Sequence, residues 1–94
     1  MEMGQIEAFV EIARQGSITR AAEKLYLTQP TVTSRLKSLE REVGESLCTR
    51  VPRGIILTDA GRLLLPYAER ALQALSEGQS ALRHQQEATG GSLF

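Results

Sequence analysis

The sequence predicts a mainly α-helical chain with one small β hairpin and a long C-terminal helix. Residues 17–34 contain a short helix with an Ala-Ala pair, a tight turn and a second helix that begins at a Thr. Residues 48–57 contain two short β-leaning runs around a Pro-Arg-Gly turn. From residue 60 to residue 82, apolar or small side chains recur every three or four positions. Together these features predict a winged helix-turn-helix, with three helices and a two-stranded wing, followed by one long helix.

The size and charge of the chain limit the class of protein to which it can belong. A chain of 94 residues can form one small domain. Its formal net charge is zero, but residues 14–53 carry eight bases and four acids, a local charge of +4. Cys48 is the only cysteine, which excludes an internal disulfide and a cysteine-based metal site. The sequence lacks a signal-peptide pattern and a membrane-length apolar run. We therefore expect a cytoplasmic protein with no membrane partner and no cofactor.

The first two helices follow from spacing and capping. Apolar residues at helical spacing predict a helix over residues 4–14, and Gly16 follows where this helix would stop. Ser17 can cap a second helix that runs to Leu25. The adjacent alanines of that helix leave room for another helix to approach closely. The turn then begins at Tyr26.

The third helix is predicted between Thr28, which can act as its N-cap, and Gly44, which ends it. Pro30 lies in the first turn, where its missing N–H costs no hydrogen bond. The apolar side chains fall on one side of this helix and face the core. The opposite side, which is free to contact another molecule, carries Pro30, Ser34, Lys37, Ser38 and Arg41.

The periodicity changes after residue 47. Strands are predicted over residues 48–51 and 55–57, with Arg53 at the tip of the wing between them. Thr58 can cap a last helix that begins at Asp59 and reaches about residue 87. At about 1.5 Å per residue, that helix is roughly 43 Å long.

The length of this last helix favours a partner. A core of about 55 residues is too small to cover it, so the apolar stripe predicts a second helix, most simply from a second copy of the chain. Packing of the stripe back onto its own domain is the alternative. The residues assigned to the dimer contact are Leu64, Tyr67, Ala68, Ala71, Leu75 and Leu82.

One ordered pattern extends over about 60 positions and carries more information than a bare helix-turn-helix. It consists of Phe9, Gly16, Ser17, Ala21, Ala22, Leu25, Thr28, Gln29, Pro30, Thr33, Leu39, Glu40, Gly44, Leu47, Arg50, Leu57, Thr58, Asp59, Ala60 and Gly61. With this pattern the chain resembles the N-terminal DNA-binding domain of LysR-type transcriptional regulators over essentially its whole length.

The resemblance implies three parts. Residues 1–58 would be the winged helix-turn-helix that binds double-stranded DNA, and residues 59–88 the linker helix that pairs two chains. Residues 89–94 would start a hinge to an effector-binding domain that this sequence lacks, so a small-molecule inducer would act only through that missing domain. The implied function is transcription regulation by a homodimer on an interrupted near-palindromic operator. The full-length protein would be a dimer or a tetramer.

The chemistry of the third helix and the wing suits DNA. Gln29 is the candidate for direct base readout, because its amide can donate and accept together against adenine N6 and N7. Arg53 would reach a minor groove or a phosphate, and Arg35 and Lys37 would neutralise backbone charge. Neighbouring methyl and hydroxyl groups suit thymine methyl groups and phosphates. The candidate DNA contacts are Thr28, Gln29, Pro30, Thr31, Thr33, Ser34, Arg35, Lys37 and Arg53.

Two positions keep alternatives open. Arg50 can pair with Glu40 or Glu45 inside the domain, or it can touch a phosphate. In the LysR family position 34 is commonly basic, whereas this chain has Ser34 followed by Arg35. The base contact from that position is therefore lost or shifted to the next residue.

Two other function classes agree less well with the sequence. An enzyme is not expected, because Cys48 and His84 are the only strong nucleophile or general-base candidates and lie on segments predicted far apart. The alternative is a helical protein-interaction and dimerisation module, in which the Thr and Ser face meets another protein. Such a face would not require Gln29 and Pro30 at the helix start or a basic wing tip, so these features favour DNA.

Overall fold

The computed structural model describes residues 1–88. In chain order its elements are α1 (Met3–Gln15), α2 (Ile18–Leu25), α3 (Gln29–Val43), β1 (Cys48–Val51), β2 (Gly54–Leu57) and α4 (Asp59–Ala88). The predicted fold class is confirmed, and each predicted element is present within one or two residues of its expected bounds. The predicted hinge over residues 89–94 lies outside the described residues. Among the helices of residues 1–88, none combines the length and the hydropathy needed to span a bilayer.

Local side-chain and backbone chemistry sets the helix ends. Ser17 Oγ caps α2 and Thr28 Oγ1 caps α3, each accepting the backbone N–H three residues later, at 3.1 Å and 3.4 Å. Both α1 and α3 end at a glycine in the left-handed conformation, Gly16 and Gly44. The Thr28 cap thereby marks the end of the turn between α2 and α3.

The apolar core lies between α1, α2 and α3. Phe9, Ala21 and Val32, one from each helix, are completely buried. The small Ala21 lets the neighbouring helices approach closely, as the alanine pair predicts. Gln5 is the buried polar side chain in this region, and its amide donates to Ser38 Oγ at 3.0 Å. This packing holds α3 with one face inward and the other outward.

The wing is an antiparallel hairpin of β1 and β2. Val51 pairs with Gly54, so a two-residue loop carries Arg53 at the tip. The backbone N–H of Ile55 donates to the carbonyl of Gly16 at 3.2 Å, which joins the wing to the end of α1. Gly54 has a φ of 146°, and a Cβ there would overlap that same carbonyl. Glycine at this position therefore permits the close approach of the wing.

The long helix α4 runs through Pro66 without interruption and divides into two parts. Its first part packs on the domain: Ala68 is 7% exposed, and Leu64 is half-buried against the core. Leu75 and Leu82 are 50% and 62% exposed further along. The first part of the apolar stripe thus packs on its own domain, as the alternative interpretation predicts, and the last part of the stripe is exposed. Ala68, which the sequence assigned to a dimer contact, lies in the core of its own chain.

Candidate nucleic-acid interface

The first turns of α3 present an open polar surface. Val32 and Leu36 face the core and leave the opposite side of the helix free. Gln29 and Pro30 are exposed at the helix start, and Ser34 is exposed one turn later. In a helix-turn-helix, this surface at the start of the second helix is the one that enters the major groove of DNA.

The Gln29 amide is available for an external partner. The hydroxyls of Thr28 and Thr31 are 2.9 Å apart and satisfy each other, in addition to the capping bond. The side chain of Gln29 is exposed and has no hydrogen-bond partner within residues 1–88. Thr33 is half-buried at the edge of the same surface. An exposed amide at a helix start, with no internal bond to break, suits base-edge recognition.

Two of the basic residues of α3, Lys37 and Arg35, differ in their surroundings. Lys37 is exposed, and its Nζ lies 4.0 Å from Oε1 of the mostly buried Glu40, a long contact that leaves the Lys37 side chain largely open to solvent. Arg35 is half-buried and lies over α1: a Cβ added at Gly4 would be 3.0 Å from Arg35 Nη1. Arg35 is therefore on the flank of α3 that faces α1, where it lines a shallow depression together with Ser34.

The wing supplies two further bases. Arg53 is exposed at the tip, and Arg50 is exposed on β1. Within the described chain Arg50 makes no ion pair with Glu40 or Glu45, so the internal pairing that the sequence left open as one alternative is absent.

Glu40 connects α3 to the wing. Its Oε2 accepts the backbone N–H groups of Leu47 at 2.7 Å and Cys48 at 3.3 Å, and its side chain is 12% exposed. These charge-assisted hydrogen bonds hold the first residue of β1 against the last turns of α3. Glu40 thereby sets the position of the wing relative to the exposed surface of α3.

Cys48 is not a reactive thiol. Burial raises its pKa to about 11, and the neighbouring Glu40 carboxylate contributes in the same direction. The thiol is therefore protonated at neutral pH and is a poor nucleophile. Residues 1–88 also contain no cluster of three or more His, Cys, Asp or Glu side chains that could hold a metal ion.

A second surface lies on the far side of α3. A mainly apolar groove runs between the end of α3 and the start of α4, with Val43, Leu47 and Ala60 along it. Two large exposed side chains of α4 border it, Leu63 at 72% and Tyr67 at 61% exposure. Apolar side chains this exposed and this close together are typical of a protein contact surface.

Comparison with known proteins assigns the family. Residues 3–62, which include the helix-turn-helix and the wing, match the family of bacterial regulatory helix-turn-helix proteins of the lysR type. The chain belongs to the lysR family. One curated relative, the HTH-type transcriptional regulator YofA of Bacillus velezensis, is 42% identical over 90 residues, which are 96% of this chain and 31% of that protein. The chain spans about three tenths of the length of most of the curated lysR relatives that it matches first.

Solved structures of lysR domains agree with this fold. The complex of the BenM DNA-binding domain with catB site 1 DNA has a TM-score of 0.84 at 30% identity, over 89% of this chain and 94% of that one. The CbnR DNA-binding domain with DNA has a TM-score of 0.79 at 36% identity, over 94% of this chain and 99% of that one. Both of these solved structures contain bound DNA.

The sequence interpretation missed one exposed residue beside the interface. Tyr26, assigned only to the turn, is 94% exposed and has a φ of 57°. The sequence does not indicate this left-handed conformation, because aromatic residues rarely adopt a positive φ and a turn does not require one. Leu63 was also missed as an exposed residue of α4, since it lies beside the stripe and not on it.

Proposed function

We propose that this chain is the DNA-binding domain of a lysR transcriptional regulator, that it reads sequence through α3, and that it binds an interrupted near-palindrome as a homodimer. The main support is the exposed Gln29 amide at the start of α3, next to Pro30 and Ser34. Arg53 on the wing would contact the adjacent minor groove or a phosphate. The BenM and CbnR relatives carry DNA in their structures, in agreement with this assignment.

The homodimer would form through α4. Tyr67, Leu75 and Leu82 are exposed along one side of this helix, and Ala71 lies between them. A second copy of the helix would cover these side chains and place two α3 helices about one DNA turn, or a multiple of it, apart. Activation or repression through an inducer would then require a domain outside this sequence.

A selection of random duplexes by the purified chain tests the function. We expect enrichment of a motif with two half-sites, and binding that weakens steeply as salt is raised. A folded, dimeric chain that enriches no motif would overturn the proposal and favour a protein-interaction module.

Replacement of Gln29 and of Arg53 by alanine should have different effects. Gln29→Ala should lower discrimination between the enriched duplex and random duplexes by about tenfold or more, because base readout is lost. Arg53→Ala should weaken binding to both duplexes and reduce the salt slope by about one per chain. Titrations of both variants at several salt concentrations measure this. Small and equal effects of the two substitutions would contradict the assigned roles.

A charge in the α4 stripe should separate the chains. Leu75→Asp would place a carboxylate in the apolar contact, and we expect monomers at concentrations where the parent chain is dimeric. Ser80→Asp is the control, since Ser80 is exposed on the opposite side of α4. Sedimentation velocity reports both states. A dimeric Leu75→Asp chain would locate the dimer contact elsewhere.

A further inference from the structure

Tyr26 lies in the turn between α2 and α3, in a left-handed backbone conformation that is unfavourable for a residue with a Cβ. It is the C-cap of α2, with a φ of 57° and a ψ of 41°. Its N–H and that of Leu27 bond to carbonyls near the end of α2, including Leu27 to Ala22 at 2.9 Å. Helices commonly end this way, but with glycine, because a Cβ in the left-handed region costs about 1 kcal/mol or more. Tyr26 is the one residue other than glycine with a positive φ in the described part of the chain.

Nothing inside the domain accounts for a tyrosine at this position. The side chain is 94% exposed, so its ring contributes almost no buried area. Its hydroxyl has no hydrogen-bond partner, and its ring has no aromatic or cationic contact, within residues 1–88. Backbone strain that gives no internal benefit indicates an external role.

The surroundings of Tyr26 indicate the chemistry of a partner. Tyr26 lies two residues before the cap of α3, within about 8 Å of it along the chain. Arg20 and Lys24 of α2 line the same shallow polar depression as Tyr26, together with Gln15 and Glu23. Both bases are exposed, and neither has a carboxylate partner within the described residues. With two bases and one acid, the depression that Tyr26 lines has a net positive charge, and a phenol hydroxyl in such surroundings suits an anionic oxygen.

We propose that Tyr26 is a further DNA contact, whose hydroxyl donates a hydrogen bond to a backbone phosphate at the rim of the groove that α3 enters. This inference rests on the proposed function. In a helix-turn-helix the helix before the recognition helix crosses the DNA backbone, so the turn between them lies at the edge of the groove. Because the phenol is neutral, this contact adds affinity for all sequences without releasing a counterion.

Two substitutions separate this contact from a role in folding. Tyr26→Phe removes only the hydroxyl and should weaken binding about tenfold, both to the enriched duplex and to a random-sequence duplex pool. The slope of affinity against salt should stay unchanged, unlike that of Arg53→Ala. Tyr26→Gly should weaken binding at least as much, while the strain relieved in the turn raises the melting temperature by about 4 °C. A protein more stable than the parent that binds DNA more weakly cannot be explained by damage to the fold.

Fluorescence anisotropy titrations of the 94-residue chain and its variants, with thermal unfolding in parallel, provide the test. Loss of affinity in both variants at constant salt slope and constant sequence preference supports the contact. Parent-like affinity of Tyr26→Gly overturns it and leaves the proposed function intact. If the parent chain binds neither the duplex pool nor any enriched duplex, the proposed function fails first and this inference fails with it.

Discussion

Gly61→Ala is expected to destabilise the chain by about 3 kcal/mol, the upper part of the range for an overpacked site. Gly61 lies buried in the first turn of α4, and a Cβ there would overlap the carbonyl oxygen of Leu47 and press on Leu57 Cδ2 at 3.1 Å. The same carbonyl accepts the N–H of Thr58 at 3.0 Å. Relief of the overlap would move α4 away from the base of the wing and break this hydrogen bond. Urea unfolding followed by circular dichroism measures the loss.

Gly78→Ala is the matched control on the same helix. No atom lies within 4 Å of the position that a Cβ would take at Gly78, so alanine fits without displacement. Alanine should even favour the helix there, by about 0.5 to 1 kcal/mol. Both variants are compared at one protein concentration, because the proposed dimerisation would contribute to apparent stability. Equal stability of Gly61→Ala and the parent would mean that α4 and the wing do not touch as closely as the structure indicates.

Local chemistry made most of this fold predictable from sequence. The hydroxyls of Ser17 and Thr28 accept backbone N–H groups three residues later, and Gly16 and Gly44 lack the Cβ that opposes a left-handed helix end. Such signals act over three or four residues, so they can be recognised from the sequence alone. The bounds of α1, α2 and α3 followed from them.

The environments of Arg50, Arg35 and Ala68 could not be predicted, because each depends on segments distant in sequence. The helix periodicity places Ala68 on the apolar stripe but cannot say which part of the stripe its own domain covers. Arg35 passes over α1 only because Gly4 leaves space there. Arg50 makes no ion pair with Glu40, whose carboxylate accepts backbone N–H groups instead, and no side-chain pattern in the sequence reveals that arrangement.

Glu40→Ala is expected to cost about 2 kcal/mol of stability and, in addition, to weaken DNA binding. The substitution removes the acceptor for the backbone N–H groups of Leu47 and Cys48. Leu47 is 1% exposed, so its N–H would lose a charge-assisted bond without access to water, a loss of about 1.5 to 3 kcal/mol. Urea unfolding measures the stability. Glu45→Ala is the control: Glu45 is exposed and its side chain has no partner within residues 1–88, so its change should stay within about 0.5 kcal/mol.

The effect of Glu40→Ala on binding should differ from a general loss of folded protein. With its base released from α3, the wing would no longer hold Arg53 at a fixed distance from Gln29. Binding to all duplexes should therefore weaken, and the salt slope should fall toward that of Arg53→Ala, while the sequence preference set by Gln29 is retained. Glu40→Gln keeps one amide oxygen as an acceptor and should lie between the parent and the alanine variant on both measures. If Glu40→Ala is destabilised but keeps the full salt slope when folded, the wing would be held by its other contacts, such as the bond from Ile55 to Gly16, and Glu40 would serve stability without positioning Arg53.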